Sequence, residues 1–273
     1  MNSVAWGEYR APFSERLAFG AVRRRLAHGD LKRAIRRYLA RNGFVADVLI
    51  DGIKMRCHVG DNYTERLLAE GTYQGNLESI ELITSSLKEG DVFVDVGANC
   101  GLFTLFSARV VGPAGMVVAI EPVPAMRDRL SFNVASNDFG NVRIVGNAVG
   151  AAAGELVIHS NPAQFGQSSL LPAEDSVPIK VQVRTLHDIL VQAGASRVDA
   201  LKIDIEGYED RALVPFFATA PRELWPRRVL IEDRHKHCWE RDVVGLMQSL
   251  GYETEWRGRH DALLSLAGRP AAV

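Results

Sequence analysis

Three short β-prone runs in this chain end on acids: Val92-Phe93-Val94-Asp95, Val117-Val118-Ala119-Ile120-Glu121, and Leu201-Lys202-Ile203-Asp204-Ile205-Glu206. A carboxylate delivered by a strand end can hold a cation, accept hydrogen bonds from a diol, or take a proton from a hydroxyl. Directly after Asp95 comes Val96-Gly97-Ala98-Asn99-Cys100-Gly101. In this small-residue turn, Gly97 and Gly101 let the backbone bend tightly and approach a ligand with no Cβ in the way. A dinucleotide fingerprint would need glycine where Asn99 and Leu102 stand, and Asp95 would repel a pyrophosphate. The Gly-x-x-x-x-Gly-Lys-Ser/Thr phosphate loop is absent as well. Asp95 suits instead a ligand bearing an ammonium group, as the methionyl part of S-adenosylmethionine does. Glu121, about twenty residues beyond the glycine turn, occupies the position that commonly accepts a ribose diol. Asn147 and Ala148, after the third run, leave room for a flat adenine edge, although a plain strand-to-turn transition explains them nearly as well.

Chemistry on an acceptor points to the last run. Alternation along a strand puts Lys202 and Asp204 on one side, with Glu206 at its mouth. Asp204 is the leading candidate for removing or orienting an acceptor proton. Glu206 could share that role, bind substrate hydroxyls, or pair with Lys202. A purely structural ion-pair network of the three is the competing explanation. The following strand ends in Ile231-Glu232-Asp233-Arg234-His235, and His235 is an alternative base because imidazole titrates near neutrality. These acids with His235 could also hold a divalent metal that orients a sugar diol. His28, His58, His159 and His260 lack such surroundings and read as surface or packing residues.

The elements that must position these groups follow a βα alternation. Strands are expected at 92–96, 116–120, 142–145, 200–205 and 228–231, with helices at 102–111, 125–135, 186–193, 209–217 and 240–250. Short apolar strands alternating with helices imply a mostly parallel sheet covered on both faces. Tyr252–Trp256 and Asp261–Leu266 form a terminal hairpin that adds a last, antiparallel strand. The fold class is therefore α/β and Rossmann-like, with seven strands in its main sheet. Residues 1–75 form an extension: a basic helical stretch with Arg23, Arg24, Arg25, Lys32, Arg33, Arg36 and Arg37, then a hairpin turning at Asp51-Gly52. Residues 76–273 form the main domain, which carries a β-hairpin insertion near 150–183. Gln164, Phe165, Gln167 and Ser168 of that insertion are expected to help cover an acceptor.

Bulk properties narrow the classes. The 32 basic and 33 acidic residues nearly cancel, which argues against a chain built overall for a polyanion, and no nucleic-acid partner is expected. The basic helices are chiefly a solvated face, with a peripheral contact to anionic lipid or a carrier as the functional alternative. Cys57, Cys100 and Cys238 show no CxxC spacing, so neither a disulfide framework nor a zinc site is expected. Glu8, Arg10 and Glu15 interrupt the start of the chain, and no run approaches the ~20 apolar residues of a membrane span. A cytoplasmic location is the expectation.

With these motifs in order, the chain resembles the FkbM family of methyltransferases from about Phe44 to Leu266. The resemblance rests on Asp95 through Gly101, Glu121-Pro122, Asn133 to Asn137, Asn147 to Gly150, Ser168-Ser169, Val183 to Leu186, and above all Leu201-Lys202-Ile203-Asp204-Ile205-Glu206-Gly207-Tyr208-Glu209. It implies the class I methyltransferase fold, S-adenosylmethionine as cofactor, and O-methylation of a polyketide-type molecule or a sugar residue of a glycolipid or oligosaccharide. His187 departs from the family's usual Asp, so a helix-capping role there passes to Asp188 or is lost. The Asn/Asp-Pro-Pro-Tyr/Phe motif of base N-methylation is replaced by Asp204-Ile205-Glu206-Gly207, and no cysteine follows proline as cytosine C5 chemistry requires. Methylation of another nitrogen acceptor, or a non-catalytic cofactor-binding scaffold, are the remaining alternatives.

Overall fold

The computed structural model describes residues 4–160, 168–169 and 176–267. Helices α1 (Phe13–Arg23) and α2 (Gly29–Arg41) lead into a hairpin of β1 (Val45–Ile50) and β2 (Ile53–His58), followed by α3 (Tyr63–Glu70) and α4 (Gln74–Thr84). The hairpin turns as its sequence demands: Asp51 and Gly52 both take positive φ, at 46° and 84°,. Next come β3 (Val92–Val96), α5 (Leu102–Val111), β4 (Met116–Ile120), α6 (Pro124–Ser136) and β5 (Val142–Val145). A side sheet follows, made of β6 (Ala148–Val149), β7 (Gly154–Ser160), β8 (Ser168–Ser169) and β9 (Val177–Arg184). The chain then returns through α7 (Leu186–Ala193), β10 (Ala200–Ile203), α8 (Glu209–Thr219), β11 (Arg228–Glu232), α9 (Val243–Ser249), β12 (Tyr252–Arg257) and β13 (Asp261–Leu266).

The main sheet has seven strands in the order β12-β13-β11-β10-β3-β4-β5. Neighbours from β11 to β5 pair in parallel, while β13 runs antiparallel between β11 and β12. This is the expected Rossmann-like, class I arrangement. Alternation sorts the core. Val94, Val96, Val118, Ile120, Leu201 and Ile203 face α7 and α8, whose Leu186, Leu190, Leu213 and Phe216 are buried against them. Phe93, Val117, Ala200 and Leu230 face the opposite side. Strands buried on both faces must be apolar throughout, which is why these runs do not alternate with polar residues.

The amino-terminal elements share one apolar cluster with the main sheet's helices: Phe19, Leu39, Val48, Ile53 and Leu68 pack with Leu102, Leu105 and Leu130. Two asparagines one turn apart, Asn133 on α6 and Asn137 just past its end, complete the join. Asn133 Oδ1 accepts from the Arg56 N–H at 2.8 Å, and Asn137 both accepts from the Lys54 N–H and donates to its carbonyl. Side-chain amides thus supply the hydrogen bonds that a further strand would give the open edge of β2.

The structure differs from the sequence expectation in three places. Helix α3 was not foreseen, although Asn62 caps it by accepting from the Glu65 N–H at 3.0 Å, the signal an Asn-x-x-Glu spacing carries. Helix α9 begins at Val243 rather than near Glu240, because Asp242 accepts from the Val244 and Gly245 N–H groups and fixes the start there. The cap of α7 falls to Thr185, whose hydroxyl accepts from the Asp188 N–H at 3.0 Å; Asp188 does not take that role. Of the residues expected to cover an acceptor, Gln164, Phe165 and Gln167 lie outside the described residues, as does the Ser168 side chain. Among the described residues no helix is long and apolar enough to cross a membrane.

Candidate active site

The carboxyl ends of β3, β4 and β10 open on a crevice of ≈ 1180 Å³, its mouth included. Such crevices are where ligands of open α/β sheets bind. Its floor is the glycine turn after β3. Gly97 lies at φ 80°, and a Cβ there would stand 2.0 Å from the Asp204 carbonyl oxygen, so β3 and β10 can approach this closely only with glycine. Gly101, at φ 99°, is held chiefly by its left-handed backbone, since the nearest obstacle to a Cβ, Leu130 Cδ1 at 2.6 Å, is the end of a side chain that can shift. Between them Asn99 takes the left-handed conformation (φ 51°), which asparagine tolerates better than most side chains. Its Oδ1 accepts from the Cys100 N–H and from Asn62 Nδ2, so α3 helps to lock the turn.

Glu121 lies on the crevice wall with both oxygens anchored to backbone. Oε2 accepts from the Asn99 N–H at 2.8 Å and Oε1 from the Val123 N–H at 2.9 Å. Burial raises its carboxyl to about 7 despite these two donors. Each oxygen keeps a lone pair, as a diol-binding carboxylate requires. Asn147 and Ala148 line the same crevice, joined by Leu156 and Ile158 of β7. Sequence reasoning missed Leu156 and Ile158, yet their two-residue spacing places both side chains on one face of that strand.

Asp95 stands differently from the expectation. It is wholly buried and off the crevice wall. Its Oδ2 accepts from the Thr104 hydroxyl at 2.6 Å, while Oδ1 faces Lys202 Nζ at 3.5 Å and accepts no hydrogen bond. Lys202 Nζ in turn donates to the Gly97 carbonyl at 2.8 Å and lies 3.9 Å from Asp204 Oδ2. Of the ion-pair network expected as an alternative, Lys202 and Asp204 come together, but the third member is Asp95, while Glu206 pairs with His235 instead. Thr104, which completes the network, gave no signal beyond its place one turn into α5.

At the other end of the crevice the acids crowd. Parallel pairing of β10 with β11 sets Ile203 beside Ile231, and so brings the residues that follow, Asp204 and Glu232, together. Asp261 lies opposite Glu232 on β13. Burial first, then the charges of Asp204 and Glu206, push Glu232 up to about 9, which favours a proton held between Glu232 and Asp204. Glu206 adopts a left-handed backbone (φ 56°) and is raised to about 7, by burial first and Asp204 second. His235 Nε2 lies 3.1 Å from Glu206 Oε2, with burial and Arg234 lowering its own pKa. The pair comes this close because residue 207 is glycine: a Cβ there would meet His235 Cβ and Cys238 Cβ, both at 3.1 Å. Asp204 and Glu206 line the crevice, whereas His235 stands behind Glu206 and is not on its wall. Glu206, Glu232 and His235 offer ligand atoms within 4.8 Å of one another, a spacing that a single divalent ion could bridge. Tyr208, from the 201–209 run, and Thr64 of α3 also reach the crevice; Thr64 carries no signal in the sequence.

The family model described as the methyltransferase FkbM domain matches residues 95–254. "Methyltransferase sdnD" from Sordaria araneosa is 27% identical over 202 residues, covering 62% of this chain and 76% of that protein. "31-O-demethyl-FK506 methyltransferase FkbM" from Streptomyces tacrolimicus is 30% identical over 201 residues, covering 61% of this chain and 74% of that protein. Among solved structures, M. jannaschii TYW2 in complex with AdoMet aligns loosely: TM-score 0.43 and 17% identity, over 81% of this chain and 86% of that one. The matched stretch runs from Asp95 through both strand-end acids and the 201–209 run, and the chain belongs to the FkbM methyltransferase family, whose methyl donor is S-adenosylmethionine.

Proposed function

We propose that this methyltransferase acts on a hydroxyl oxygen of a small molecule or glycan, with Asp204 orienting that hydroxyl and taking its proton. The observation that carries the reading is the placement of Asp204: it lines the crevice, follows the β10 pairing that sets it beside Glu232, and has the Lys202 ammonium 3.9 Å away. The name of the Streptomyces tacrolimicus relative, which describes methylation at a 31-O position, supports an oxygen acceptor.

The residues fit the cofactor. Glu121 would hold the ribose diol, Asn147 and Ala148 the adenine edge, and the Gly97–Gly101 turn the methionyl end. Asp95 serves the site from beneath, through Lys202 and Thr104, with Oδ1 as the oxygen still open to a donor. S-adenosylmethionine, when bound, supplies an electrophilic methyl on a sulfonium. For a hydroxyl, the chain's contribution is alignment of the acceptor oxygen and removal of its proton as the new bond forms. Asp204 does both. Glu206, its carboxyl raised to about 7 by burial, shares the acceptor's hydroxyls. His235 positions Glu206 through their 3.1 Å contact and does not touch the acceptor itself.

The test is Asp204→Asn. The variant should bind S-adenosylhomocysteine as the parent does and lose turnover by roughly 10²–10⁴-fold, the usual worth of a general base. Full turnover with an oxygen acceptor would remove Asp204 from the mechanism.

A further inference from the structure

Between Arg10 and Arg41 the chain carries ten of its 32 basic residues and only two of its 33 acids. Lys32 and Arg36 are used internally, holding Glu70 of α3, and Arg33 pairs with Asp30. Arg16, Arg23, Arg24, Arg25, Arg37 and Arg41 meet no carboxylate among the described residues, and all six are exposed. Large apolar side chains protrude from the same two helices and their connection: Phe13 is 72% exposed, Leu17 65%, Leu26 70% and Leu31 59%.

This is not a frayed end. At 3.6 residues per turn, Phe13 and Leu17 lie one turn apart and opposite Phe19 and Val22, which are buried,. Phe19 packs on Phe44 with ring centroids 4.9 Å apart. On α2, Leu39 is buried while Arg33, Arg37 and Arg41 repeat every four residues on the outer side. Tyr38 Oη lies 3.3 Å from Ser14 Oγ and sets the two helices side by side. Each helix is thus fixed by its inner face: α1 turns Phe13 and Leu17 outward, α2 turns Arg33, Arg37 and Arg41 outward, and Leu26 stands between them.

We propose that the outer face of α1 and α2 docks on a bilayer bearing anionic lipids. The combination selects this partner. Arginines alone would suit any polyanion, but a nucleic-acid backbone gives no return for Phe13, Leu17, Leu26 and Leu31 standing in water. A bilayer surface takes both: the apolar side chains enter the headgroup boundary and the arginines meet the phosphates. Docking places the crevice one helix from the membrane, since Lys32 and Arg36 tie α2 to α3, whose Thr64 lines the crevice. The inference stands apart from the choice of acceptor and needs no turnover to test.

The experiment is co-sedimentation of the full chain with vesicles of phosphatidylcholine alone and of phosphatidylcholine mixed with phosphatidylglycerol. The expected result is binding to the mixed vesicles only, weakened by added salt. Arg24→Gln and Arg37→Gln should each weaken it about fivefold, the factor that corresponds to ~1 kcal/mol per basic residue at a membrane surface. Phe13→Ser with Leu17→Ser should remove the binding that survives salt. All four side chains are exposed, so melting temperatures should stay unchanged; a variant that melts early is replaced by the salt titration of the parent chain. Absence of binding to the mixed vesicles overturns the proposal, as does binding indifferent to these substitutions. Retention of the chain by RNA, without vesicle binding, would assign the face to a nucleic acid instead.

Discussion

Gly97 offers a sharp test of how the crevice is built, because its backbone requirement and its steric one can be separated. Gly97→Ala places a methyl 2.0 Å from the Asp204 carbonyl oxygen and 3.1 Å from its carbon. Carbon and oxygen without a bond between them need at least ~3 Å, so the turn and the end of β10 must part by about 1 Å. Those two segments carry the floor of the crevice and Asp204, and a misplacement of that size costs on the order of 10²-fold in a reacting site. The positive φ adds a further ~1–2 kcal/mol of strain for any L side chain. Gly194 is the matched control. It has nearly the same φ, 78° against 80°, yet nothing lies within 4 Å of its would-be Cβ. Gly194→Ala should therefore show only the strain, as a loss of ~1–2 kcal/mol in denaturant unfolding, with cofactor binding intact. Calorimetric titration with S-adenosylhomocysteine and urea melts on both variants make the comparison. Parent-like affinity in Gly97→Ala would show that the close approach of the turn to β10 does not shape the site.

Two further outcomes follow from the buried charges. Glu121 must be ionised to accept both ribose hydroxyls, and its carboxyl is raised to about 7; S-adenosylhomocysteine affinity, measured by calorimetry across pH, should fall by up to about tenfold per pH unit below that value. The same shift acts oppositely on folding. The folded chain holds this proton more tightly than the unfolded chain, so Glu121 favours folding most below the ordinary carboxyl value of 4.5, and that contribution is lost as pH rises through about 7,. Lys202→Met leaves Asp95 buried with only the Thr104 hydroxyl as partner, and should cost roughly 3–5 kcal/mol in chemical denaturation. Adding Asp95→Asn should recover part of that loss, and an unchanged double variant would show that the 3.5 Å pair is not what Lys202 contributes.

Sequence alone determined most of the architecture. Strands buried on both faces must be apolar nearly from end to end, and a parallel sheet needs a helix between successive strands, so the 92–96, 116–120 and 228–231 segments were legible as short hydrophobic runs. The glycine turn was legible too, since the spacing of Gly97 and Gly101 after a strand-end acid admits few conformations. Glu121, Asn147, Asp204 and Glu206 all reach the crevice as their strand-end positions require. What local pattern could not decide was depth. Asp95 and Glu121 end neighbouring strands in the same way, yet one lies beneath the turn, bound to Thr104 and facing Lys202, while the other opens on the crevice. The partner that faces Asp95, Lys202 of β10, stands more than a hundred positions away and also donates to the Gly97 carbonyl, a contact no local pattern carries. The raised pKa of Glu232 is likewise a tertiary property: it arises because parallel pairing of β10 and β11, closed by β13, gathers Asp204, Glu206, Glu232 and Asp261 where burial weakens the water that would otherwise screen them,.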